Sequence, residues 1–181
     1  MFSRWFKKPR TQAAEALYRE AVAQARRPEF YETLGAPDTV DGRFDLLVLH
    51  VHLLLRRLRA EGEDASQTAQ DLFDVMFRDM DASLREMGVG DLVVGKRIQR
   101  MASAFYGRAA RYEEAFDPKA EPNALEAALL ANVLPHGTAE TASRLADYVR
   151  RQSAALRSQP ATRIARGVVR FDAPVLEEAP A

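Results

Sequence analysis

The sequence predicts an all-α fold: a single compact bundle of about six helices with a short extended or disordered C-terminal arm. Three observations carry this. Apolar residues recur at three- and four-residue spacing through five long stretches, the period of one helical face. Pro28, Gly35, Gly62, Gly88 and Pro160 fall between those stretches, where a helix stops most readily. Hydrophobic residues make up 47% and charged residues 29% of the 181, enough apolar surface for one core without staples. The chain divides into a basic-aromatic segment (1–10), a helical domain (11–158) and a C-terminal arm (159–181), with the last residues disordered.

The elements follow in order. Ala14, Leu17, Tyr18, Ala21, Val22 and Ala25 face one side of a helix over about 11–26, stopped by Pro28. After a connector holding Phe30, Tyr31 and Leu34, Asp41 is placed to cap a helix over about 43–60. That helix is apolar on two sides, through Phe44, Leu47, Val51, Leu54 and Leu58 and again through Leu46, Leu49 and Leu53, so it is expected at the centre. A helix over about 65–87 carries Leu72, Phe73, Met76, Phe77, Met80, Leu84 and Met87. Asp91 is placed to cap the next, over about 92–116, with Val94, Ile98, Met101, Phe105, Tyr112 and Phe116 on one face. Gly95 and Gly107 inside it point to close helix packing. Asn123 with Glu126 reads as a capping box opening a shorter helix that ends near Pro135. Thr138 starts the last helix, and Ile164–Phe171 reads as a short strand or an extended arm.

Catalytic and metal chemistry find little to work with. There is no cysteine, which removes disulfides, thiolate ligands and cysteine nucleophiles. His50 and His52 lie two apart on a helix, so they point apart and cannot share a metal; they read as core-edge or surface histidines. The carboxylates Asp71, Asp74, Asp79 and Asp81 lack the Glu-x-x-His pairing of a helical di-iron site and read as a solvated acidic face, with Asp74 pairing Arg78. No nucleophile elbow or phosphate-cradling glycine loop is present. No catalytic residue, metal site or cofactor is expected.

Binding features are better represented. The methionines at 76, 80 and 87 share a face with Phe73 and Phe77, which suits either ordinary core or an adaptable apolar groove. Arg97, Arg100, Arg108 and Arg111 form a stripe beside the apolar face, with Tyr106 and Tyr112 close by. The stripe suits an acidic partner, a phosphate backbone, lipid headgroups, or plain solvation. Phe2, Arg4, Trp5, Phe6, Lys7 and Lys8 mix aromatics with cations, as in weak attachment to an anionic membrane surface. Seven arginines and one acid lie between Arg144 and Arg170, a second surface for RNA or lipid. Net charge is zero, which argues against a DNA-binding protein. No apolar run is long enough to span a bilayer, so the chain is expected on the cytoplasmic side, peripheral to the membrane.

Two blocks carry a family resemblance. DTVDGRFDLLVLHVHLLLRRL (38–58) and LFDVMFRDMDASLREMGVGDLVVGKRIQRMASAFYGRAARY (72–112) resemble, in order, two blocks of the ubiquinol–cytochrome c chaperone family. The second block is the more specific: an acidic helix, a Met-Gly-Val-Gly-Asp turn, a basic helix and a Phe-Tyr-Gly-Arg step. The resemblance implies a helical assembly factor, without enzymatic activity or cofactor, that binds cytochrome b during maturation of the respiratory bc1 complex and acts near the ribosome. Carried over residue by residue, it marks Arg97, Tyr106, Gly107, Arg108 and Tyr112 for partner contact. A ribosome- or RNA-associated binding factor is the alternative, resting on the arginines of 144–170.

Overall fold

The computed structural model describes residues 9–60 and 63–174. The basic-aromatic segment through Lys8, Gly62 and the tail from 175 onward lie outside the described residues. Among the described residues, six long helices and two of a single turn follow one another: α1 (Pro9–Ala25), α2 (Glu29–Glu32), α3 (Val40–Arg59), α4 (Glu63–Glu86), α5 (Asp91–Ala115), α6 (Ala124–Asn132), α7 (Ala139–Ser158) and α8 (Ala161–Ile164). Pro9 opens α1, where its missing N–H costs no hydrogen bond.

Helix α3 is the axis. Every residue from Leu46 to Leu55 is buried, with α1, α4, α5 and α7 packed against it. Helix α6 joins α5 to α7. The start of α3 is set by Thr39 and not by Asp41: Thr39 has extended backbone, and its hydroxyl accepts from the Gly42 N–H at 3.1 Å. Gly42 is required there, since a Cβ would lie 2.0 Å from the Pro37 carbonyl oxygen.

Three other local expectations are corrected. Asp91 is the first residue of α5 and pairs with Arg85, and the cap position is Gly90. Asn123 adopts φ −104°, ψ 16°, away from the extended cap geometry, and its side chain makes no cap hydrogen bond. Asp74 accepts from Gln70 at 2.9 Å. Thr138, by contrast, forms a reciprocal capping box with Thr141.

Through residue 174 the arm takes the extended form and not the strand. After α8 the chain turns at Gly167 (φ +86°), whose hydrogen-only face lets it abut Ala13 of α1. It then runs extended along α7, held by side-chain amides that stand in for a neighbouring strand. Gln159 accepts from the Arg170 N–H at 2.9 Å and donates to the Arg170 carbonyl at 2.7 Å. Gln152 does the same for Asp172, at 3.1 and 3.2 Å. Phe171 is thereby laid edge-on against His50, with ring centroids 5.6 Å apart.

Both α3 histidines are buried, which corrects the surface or core-edge reading. His50 Nδ1 lies 2.7 Å from the Leu46 carbonyl, which can only accept, so Nδ1 carries the proton. Nε2 then accepts from the Tyr148 hydroxyl at 2.8 Å, and Tyr148 accepts from Gln24 at 2.8 Å. Burial lowers His50 from its ordinary 6.5 to about 4 and His52 to about 3.

Each histidine binds its proton less well folded than unfolded. The stability this neutral state contributes is therefore complete above pH 6.5 and is lost as pH falls through the shifted values. Asp45 works in the opposite sense, because burial raises it to about 6. Comparing wild type with His50→Gln cancels that contribution. We expect the wild type to lose about 3 kcal/mol more than the variant between pH 7 and pH 4, measured by denaturant unfolding. Parallel pH profiles would remove His50 as the cause.

Candidate functional site

The methionine face of α4 divides between core and surface. Met76 is fully buried, whereas Met80 is half-buried and Met87 is 56% exposed. Met80 and Met87 open onto a groove of about 200 Å³ lined by Val22 of α1, Phe44 and Leu47 of α3, and Met101 of α5. Its rim carries Arg26, Arg43 and Asp79. At its edge the Tyr18 hydroxyl donates to Asp79 at 2.7 Å, and burial together with that carboxylate pushes the phenol well above its usual range. The groove has room for one or two large apolar side chains, and thioether side chains lining it can reshape to different ones.

The residues singled out on α5 do not form one patch. Arg97 and Arg100 are exposed near its start. Tyr106 is 57% exposed, with its ring 5.4 Å from Phe73 and 5.8 Å from Phe105. Gly107 and Gly95 face open space, with nothing within 4 Å of where a Cβ would sit, so neither serves close helix packing. Arg111 is exposed and donates to Asn132 at 3.4 Å.

Arg108 and Tyr112 point inward. Arg108 forms a 2.6 Å ion pair with Asp45 of α3, both side chains mostly buried. Tyr112 is fully buried, its ring 5.5 Å from His52. One helical turn further round, Arg56 donates to both oxygens of Glu113 at 3.1 Å and lies over the Phe116 ring. These contacts tie the C-terminal half of α5 to α3; toward its start Val94 is buried, while Leu92, Val93, Lys96, Arg97 and Arg100 are exposed. The arginines of 144–170 are similarly dispersed: Arg150 bridges Glu126 and Asp147, Arg157 donates to Ser153, and Arg163, Arg166 and Arg170 are exposed on the arm.

The methionine spacing on α4 left core and groove open as alternatives; Met76 takes the first and Met80 and Met87 the second. The contributions of Val22, Phe44, Leu47 and Met101 did not show in the sequence, because each sits in the apolar stripe of its own helix and only tertiary packing leaves it partly uncovered.

Fold and groove together define an all-α bundle with an open, methionine-lined cleft. The chain belongs to the ubiquinol-cytochrome C chaperone family, whose model matches residues 32–171. The match runs from α2 through α7 to Phe171 of the arm, past the two blocks recognised in the sequence. The chain is 27% identical over 142 residues to ubiquinol-cytochrome-c reductase complex assembly factor 1 of Xenopus laevis, covering 77% of this chain and 70% of that one. It is 28% identical over 102 residues to the corresponding factor of Mus musculus, covering 56% of this chain and 35% of the mouse protein. The match thus spans about a third of the mouse relative's length. The fold is similar to the crystal structure of the Cbp3 homolog from Brucella abortus, with a TM-score of 0.81, 35% identity and 92% of each chain covered.

The two classes of arginine on α5 separate by stability. Arg108→Ala leaves Asp45 without its counter-charge in a mostly buried site, and we expect a loss of about 3 kcal/mol in urea unfolding. Adding Asp45→Asn should recover part of it, because the stranded charge is gone. Arg97→Ala and Arg100→Ala should each change stability by less than about 0.5 kcal/mol. Equal losses at all three positions would contradict this division.

Proposed function

We propose that this chain is an assembly chaperone for the respiratory bc1 complex, and that its groove takes large apolar side chains of cytochrome b before that subunit is built into the complex. The observation that carries the reading is the open, methionine-lined groove in a chain of the ubiquinol-cytochrome C chaperone family. The names of the curated relatives, both assembly factors of ubiquinol-cytochrome c reductase, support the same process.

The chemistry of the groove agrees with this role. A membrane subunit waiting for its partners exposes apolar helix faces that would otherwise aggregate. A shallow groove binds a few side chains at a time, so it shields without enclosing and releases without catalysis. Flexible thioethers accommodate leucine, isoleucine or phenylalanine with little rearrangement. The polar rim of Arg26, Arg43 and Asp79 limits how far apolar contact spreads, which favours release.

The test is a reduced-minus-oxidised haem spectrum of membranes from cells lacking the gene. We expect selective loss of the bc1 haem b signal, restored by the wild-type gene. Met87→Glu should fail to restore it while keeping full helicity, because Met87 is more than half exposed and its replacement leaves the core intact. Normal bc1 spectra in the deletion strain would overturn the proposal. Full rescue by Met87→Glu would move the client away from the groove.

A further inference from the structure

Three of the six exposed large apolar residues among the described residues lie at the α4–α5 turn and the start of α5; the others, Val40, Tyr106 and Val168, lie elsewhere. Leu92 is 90% exposed, Val93 47% and Met87, just before the α4–α5 turn, 56%. A single exposed leucine is ordinary. Here three large apolar side chains stand together, and three cations stand with them. Lys96, Arg97 and Arg100 are all exposed, and none makes an ion pair or hydrogen bond within the described residues.

Helix geometry places these groups on one side. At 3.6 residues per turn, Leu92, Val93, Lys96, Arg97 and Arg100 fall within an arc of about 140°. The inward positions Val94, Phe105 and Tyr112 lie outside that arc and are buried. No acidic residue occurs from Leu92 to Tyr112. Beside the turn, Asp81 and Asp91 pair with Arg85, and Glu86 is exposed at the end of α4.

We propose that the first turns of α5, with the α4–α5 turn, form a docking surface for an anionic phospholipid bilayer. Leu92 and Val93 enter the acyl boundary while Lys96, Arg97 and Arg100 reach the headgroup phosphates, the arrangement of an interfacial amphipathic helix. The positive charge of Lys96, Arg97 and Arg100, in a stretch without acids from Leu92 to Tyr112, selects an anionic over a zwitterionic surface. Met87 belongs both to this surface and to the groove, so docking sets the mouth of the groove at headgroup level. The inference does not depend on the bc1 reading, because the test contains no client.

The experiment is flotation of the full chain with vesicles of phosphatidylcholine, alone or with roughly a third phosphatidylglycerol, at low and at moderate salt. We expect binding to the anionic vesicles only. The apparent affinity should fall about 30-fold in Arg97→Gln/Arg100→Gln and about tenfold in Leu92→Ser. The aromatic N-terminal segment is controlled by Phe2→Ser/Trp5→Ser/Phe6→Ser, in which the dependence on Arg97, Arg100 and Leu92 must persist. A reporter Leu92→Trp in a Trp5→Phe background should shift its emission to the blue with anionic vesicles. The proposal is overturned by equal binding to both vesicle types, by affinity unchanged in the α5 variants, or by a reporter at 92 that stays in water. Absence of vesicle binding altogether would also overturn it, and would leave the patch to an acidic protein partner.

Discussion

A helix buried on every side has to be enclosed, and α3 imposes that condition on the rest of the chain. From Leu46 to Leu55 every residue is buried, so no single neighbour can satisfy it. Helices α1, α4, α5 and α7 are each amphipathic and each contribute one apolar face to this axis. The groove arises from the same condition. Near its N-terminal end α3 presents Phe44 and Leu47 between α1, α4 and α5, and those three helices do not close over them completely. Methionines at 80, 87 and 101 line the opening, where a branched side chain would pack more rigidly.

The axis also carries polar groups, and these determine how its neighbours are held. His50 joins Leu46, Tyr148 and Gln24 in one hydrogen-bonded chain, and Phe171 of the arm covers it. Asp45 fixes Arg108, and His52 stacks against Tyr112, so one half of α5 is locked to α3. Buried polar groups left without partners are costly, so the His50 chain and the Asp45–Arg108 pair specify register as well as adding stability. Along α5 the second half is held to α3, while the first half buries Val94 and leaves Leu92, Val93, Lys96, Arg97 and Arg100 exposed.

Much of this was legible in the sequence. The double apolar face of α3 announced its central position, and the spacing of Leu72, Met76 and Leu84 identified α4. The family was readable from the blocks at 38–58 and 72–112. What was not legible depended on backbone angle or tertiary placement. Thr39 and Asp41 are both good caps, and only the extended backbone at Thr39 decides between them. Asn123 has a suitable side chain on an unsuitable backbone. Gly95 and Gly107 resemble packing glycines by composition but face open space. Arg108 and Tyr112 sit in the same motif as Arg97 and Tyr106, and only the position of Asp45 and His52 on α3 turns the first two inward. The arm looked extended and became ordered because Gln152 of α7 and Gln159 just past its end present amides to alternate residues of the chain.

The claim on which the functional reading turns is that cytochrome b meets this protein at the methionine groove. Site-specific photo-crosslinking in cells tests it directly, with the reactive side chain placed at Met87 or Met101 in the groove and at Arg166 on the arm. Capture of cytochrome b from the two groove positions and not from Arg166 is the expected result. Capture from Arg166 alone, or none from the groove in cells that are assembling the bc1 complex, would contradict it.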